Sequence, residues 1–134
     1  MKTIKYIFEA IFIYLIFLLI KLFGLNFGRK ISSYIFIKIG FFFRSKNLIK
    51  ENIFTALGNI DDSKVETIIK SMWKNYGFTF AEYVYLKKFR FNKFPKTHIS
   101  ISGKKILEEV INSSKPVVFV SGHFANFELM AMEL

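Results

Sequence analysis

From residue 6 to residue 23 the chain is apolar at almost every position, and residues 10–20, "AIFIYLIFLLI", carry no charge. A helix that crosses a bilayer needs ~20 mostly apolar residues. With Glu9 and Lys21 inside the stretch, the pattern predicts a helix that either spans, or lies partly inserted with its charges reaching outward. Lys2 and Lys5 resemble the basic start of a signal peptide, but "KLFGLNFGRK" follows in place of a small-residue cleavage site. The expectation is a retained membrane anchor over residues 1–24.

Beyond it the pattern shifts to a helical period. "ISSYIFIKIGFFF" (31–43) is too short to span and reads as an interfacial or core helix. In 44–58, Ser45 is a candidate N-cap and Gly58 a stop, with Leu48, Ile49, Ile53 and Leu57 on one face. Ser63 stands three residues before Glu66, the spacing of a capping box, and predicts a helix from about Lys64 to Leu86. Val65, Ile68, Ile69, Met72, Trp73 and Tyr76 mark its buried face, and Gly77 is either a weak point or a place of close packing.

"LKKFRFNKFPK" (86–96) interleaves bases with Phe89, Phe91 and Phe94. It reads as a solvated loop, as a loop touching lipid headgroups, or as a base-stacking surface; the anchor favours the second. "HISISG" (98–103) alternates like a short strand. Residues 104–116 read as a helix ended by Ser-Ser-Lys-Pro, and "VVFV" (117–120) as an apolar strand. Strand, helix, strand, turn and helix in that order predict an α/β domain.

Charge sharpens the membrane reading. The net charge is +10; residues 1–50 hold nine Lys/Arg against Glu9 alone, so the excess lies beside the most apolar segment. That placement suits an anionic membrane surface. Nucleic acid is a weaker partner for it, because it leaves the apolar segments unexplained. If the anchor spans, the basic residues after it place that side in the cytoplasm. With no cysteine, disulfides, thiolate zinc sites and cysteine nucleophiles are excluded, and the two separate histidines argue against a metal site.

The candidate chemistry lies in "PVVFVSGHFANFELM" (116–130), where His123 is followed five positions later by Glu128. Within one helix that spacing is roughly 140° of rotation, so the two would not share a face. With a turn at Ser121-Gly122 and Asn126 as N-cap, Glu128 falls in the first helical turn and His123 in the loop above it. A neutral imidazole can then take a proton from an attacking hydroxyl while the carboxylate orients it. Gly122 and Asn126, flanking the histidine, are the candidate substrate-binding positions. Ser121 does not stand in a G-x-S-x-G elbow, which leaves a hydrolase triad poorly supported. His98 has no acid at useful spacing.

"GHFANFEL" resembles the H-x4-E block, commonly "HFGNWEL", of the lipid A late acyltransferases within the lysophospholipid acyltransferase superfamily. The likeness extends upstream through the helical region from "KNLIKENIFTALG" to "AEYVYL", through "ISGKKILEEVINSSKPVVFVSGHF", and to the apolar N-terminus. The resemblance implies His123 as general base and Glu128 as its orienting acid. It implies transfer of a fatty acyl chain from an acyl carrier protein or CoA thioester to a lipid A precursor hydroxyl at the bacterial inner membrane, with no cofactor or metal. Ala125 stands where this block has Gly, and Phe127 where it has Trp. Residues 25–134 are then the N-terminal part of an incomplete acyltransferase α/β domain, inactive by itself. A lysophospholipid acceptor, and a non-catalytic membrane-anchored interaction protein, are the competing readings.

Overall fold

The computed structural model describes residues 2–91 and 98–132, and every element in them is helical. Two compact units divide the chain at Tyr85 and Leu86.

The first unit begins with α1 (Lys2–Phe23), of which Thr3–Phe23 is long and apolar enough to cross a membrane. At 1.5 Å per residue, its 22 residues reach about 33 Å. Nearly all of its large side chains are exposed; Ile20 is buried. Gly24 ends the helix at φ +90, a backbone that favours glycine, and α2 (Leu25–Ile39) starts directly after it. Gly28 of α2 lies on Ile20, and the Tyr85 hydroxyl donates to the Ile20 carbonyl at 3.0 Å. Burial pushes the Tyr85 phenol pKa up. A 3₁₀ turn (Gly40–Phe42) follows, then α3 (Lys46–Leu57) and α4 (Asp62–Tyr83). The "interfacial or core" segment is thus the second part of a longer helix.

Local signals explain the α3 boundaries. Ser45 Oγ accepts from the Leu48 N–H at 3.3 Å, and Gly58 closes the helix at φ +74. The expected capping box at Ser63 and Glu66 does not form. Asp61 is the N-cap and accepts from the Ser63 N–H at 3.0 Å, while Glu66 reaches across to Lys46 at 2.7 Å. Both carboxyls sit below the usual range, Asp61 chiefly through the Ser63 hydroxyl and Glu66 chiefly through Lys46.

Ile49 and Ile53 of α3 meet Val65, Ile69 and Trp73 of α4 in one core. The face read from the sequence is right at these positions, with Ile68 and Met72 half-buried; Leu48, Leu57 and Tyr76 are exposed. The α2–α4 contact is tight. A Cβ on Gly77 would stand 2.5 Å from Ser33 Cα, and one on Gly40 would enter the Trp73 indole. Gly77 is therefore a place of close packing.

Beside it, Arg29 of α2 places Nε at 2.9 Å and Nη2 at 2.6 Å from Glu82 Oε1 of α4. Glu82 is buried, whereas the Arg29 side chain keeps 27% of its exposure, so solvent still screens the cation. Glu82→Ala strands Arg29 in this contact. The expected cost is about 1.5 kcal/mol, below the usual toll for a fully buried pair. Thermal unfolding in micelles measures it, and the Arg29→Met, Glu82→Ala double variant should lose less than the Arg29→Met and Glu82→Ala losses combined. A strictly additive double variant would show that the pair does not couple the helices.

The second unit contains α5 (Leu86–Arg90), α6 (Lys104–Asn112) and α7 (Glu128–Ala131). The basic-aromatic stretch opens with α5, and its continuation over 92–96 lies outside the described residues. α6 matches the expected helix and follows Gly103 in the left-handed region.

The α/β expectation fails here. Neither 98–102 nor 117–120 is a strand, and no sheet exists among the described residues. A strand needs a neighbour to take its backbone N–H and C=O groups. Among the described residues "VVFV" has no such ladder, and Val118 and Val120 are 87% and 92% exposed. The apolar run reported a capacity for burial, not a partner.

Candidate active site

The residues marked for chemistry lie in the turn that enters α7. The Phe124 N–H donates to the Gly122 carbonyl at 2.9 Å, closing a three-residue turn with His123 at its centre. This turn projects His123 into solvent. Ala125 then takes φ +46, in the left-handed region that costs a β-carbon residue roughly 1–2 kcal/mol. The chain reverses there, and the Phe127 ring comes to 3.7 Å from the His123 ring, centroid to centroid, at 41° between planes.

Glu128 follows as the first residue of α7, half-buried, so the expected first-turn position holds. The N-cap is Phe127 rather than Asn126, with no side-chain cap bond. Asn126 contributes its carbonyl, which accepts from the Leu129 N–H at 3.2 Å. Asn126 also lines a cavity of about 580 Å³ together with Ile99, Ile101, Phe119, Leu129 and Met130. Gly122 has a steric role. A Cβ there would lie 2.2 Å from Phe124 Cε2, so the bare glycine leaves room for that ring to fold back.

His123 therefore sits one residue from Gly122 and against Phe127, the immediate neighbour of Glu128. His98 stands elsewhere in the unit: it lines the cavity and meets Phe89 edge-on at 6.0 Å between ring centroids. The Phe127 contact and the cavity wall of Phe119 and Leu129 escaped the sequence reading. The one available signal was an aromatic residue four positions after the histidine. Among the described residues no group of three His, Asp or Glu side chains could hold a metal ion.

An exposed imidazole backed by an aromatic ring, with a carboxylate entering the next helix and an apolar cavity in the same unit, suits proton transfer beside an apolar substrate. Searches of curated proteins and of solved structures gave no match. The family model of the bacterial lipid A biosynthesis acyltransferases matches residues 2–134. A match over that length shows that the chain belongs to the bacterial lipid A biosynthesis acyltransferase family.

Proposed function

We propose that His123 is the general base, and Glu128 its orienting acid, in transfer of a fatty acyl chain to a hydroxyl of a lipid A precursor. The observation that carries this reading is the turn centred on His123, which exposes the imidazole directly before the helix that Glu128 opens. One imidazole nitrogen takes the hydroxyl proton as that oxygen attacks the thioester carbonyl. The C–S bond then breaks, and the departing thiolate takes the proton back from the imidazolium. The carboxylate's task is to fix the tautomer and stabilise the imidazolium. Gly122 and Asn126 flank the approach, Asn126 on the side of the apolar cavity.

The donor is an acyl thioester of acyl carrier protein or CoA. The basic surface favours acidic carriers by electrostatic steering. Residues 1–24 anchor the protein in the inner membrane, and residues 25–134 form the part of the acyltransferase domain that carries the histidine on the cytoplasmic side. The test of the chemistry is His123→Ala in the intact enzyme that carries this segment, assayed as lipid A precursor acylation in membranes of cells making it.

The anchor has its own test. The protein should stay in the membrane pellet through both high-salt and alkaline carbonate washes, and deleting residues 1–24 should release it to carbonate. Release of the intact protein by carbonate would reduce α1 to a surface helix.

A further inference from the structure

Two cavities lie side by side in the helical unit, far along the chain from the histidine turn. One, about 360 Å³, is lined by Ile37, Phe41, Ile49 and Trp73, with Arg44 and Lys70 also in its wall. The other, about 580 Å³, shares Arg44, Ile49 and Trp73 with the first and continues along Ile53, Ile68 and Met72. Their common lining makes one cleft along α3 and α4, mostly apolar, with Lys46 and Lys70 at the end formed by the first cavity and Arg44 where the two cavities meet.

The charges at that end do not cancel. Glu66 also faces the cleft, but Lys46 holds it at 2.7 Å and Lys50 stands 3.6 Å away. Among the described residues Arg44 and Lys70 have no carboxylate partner. Phe41 in the cleft wall belongs to the exposed run Phe41, Phe42 and Phe43, which are 58%, 76% and 66% accessible. Lys38 and Arg44 flank this run. Three exposed phenylalanines between cations match the boundary between headgroups and acyl chains of an anionic leaflet.

We infer that the α3–α4 cleft holds one anionic phospholipid, its phosphate against Arg44 and Lys70 and an acyl chain along Ile49 and Trp73, with Phe41–Phe43 set in the surrounding leaflet. The inference does not depend on the role of His123. It concerns a lipid that the helical unit binds as a resident, whatever the second unit acylates.

Trp73 is the chain's single tryptophan and lines both cavities, so its fluorescence reports occupancy. The intact chain in neutral maltoside micelles is titrated with phosphatidylglycerol or phosphatidylcholine, each brominated on its acyl chains. Phosphatidylglycerol is expected to quench Trp73 saturably, at a mole fraction roughly tenfold lower than phosphatidylcholine. The Arg44→Gln, Lys70→Gln double variant replaces exposed side chains, so it should keep its helical circular dichroism and lose that preference. Equal quenching midpoints for the two lipids in the unaltered protein overturn the inference before any variant is made. A folded double variant that still prefers phosphatidylglycerol overturns the assignment to Arg44 and Lys70.

Discussion

Gly77→Ala is expected to lower the thermal midpoint of the helical unit by about 8–16 °C in micelles, although alanine is the better helix former. In an open helix this exchange would stabilise by about 1 kcal/mol. At position 77 the new methyl would stand 2.5 Å from Ser33 Cα and N and 2.6 Å from Ser32 C. Those atoms are backbone and cannot rotate aside, so α2 and α4 must part by nearly an ångström to reach ordinary contact. That movement strains the short Arg29–Glu82 pair and opens the wall around Ala81, which is fully buried. Overpacking of this kind costs ~1–3 kcal/mol and sometimes more, and a net loss of about 2 kcal/mol remains after the helix preference is credited. Ser33→Gly should not rescue the variant, because it removes a side chain and leaves the clashing backbone in place. An unchanged midpoint, or rescue by Ser33→Gly, would refute the backbone contact.

The helices were legible where the signal is local. Ser45 and Gly58 bracket α3 because capping and left-handed closure are decided within a few residues. The start of α4 was misread because Asp61 and Ser63 can both cap a helix and Glu66 had a competitor. Its partner, Lys46, is 20 positions earlier, and only the folded α3–α4 pair brings it near. Gly77 left two readings open for the same reason: a glycine's role depends on what approaches it, here Ser33. The failed strands mark a limit of another kind. Alternation in "HISIS" and apolarity in "VVFV" describe side chains, whereas a strand is defined by backbone bonds to a second segment. Without that segment among the described residues, the pattern is met by an exposed run with no assigned strand.

In the site, the placement of Glu128 in the first turn of a helix was legible from spacing and turn chemistry. The left-handed Ala125 was not, since alanine gives no sign of positive φ. Its cause becomes visible beside the family's block, where the same position is usually Gly. Here a methyl group is accommodated in that left-handed position at some cost in strain. Phe127, where the block that this stretch resembles has Trp, is a milder departure, because an aromatic ring still stands beside His123.

In the intact enzyme, the proposed role of His123 predicts that His123→Ala reduces acylation of the lipid A precursor by ~10²–10⁴-fold, the usual contribution of a positioned general base. His123 is exposed, and the variant should keep its helical content, so a loss of this size would belong to the chemistry. Glu128→Gln keeps the size of the side chain and removes its charge. On the proposed role of Glu128 it should cost on the order of 10²-fold, since the imidazole would lose the anion that orients it and stabilises its protonated form. The decisive comparison is the double variant. Two residues acting as one unit are strongly non-additive, so His123→Ala with Glu128→Gln should be no slower than His123→Ala alone. Independent roles predict the product of the two losses. Ala125→Gly should leave activity near that of the unaltered protein while relieving the left-handed alanine, which tests whether the turn supports the histidine or strains it. Full acylation by the His123→Ala protein would remove the catalytic reading altogether and leave residues 121–128 as a structural turn of a membrane-anchored interaction protein.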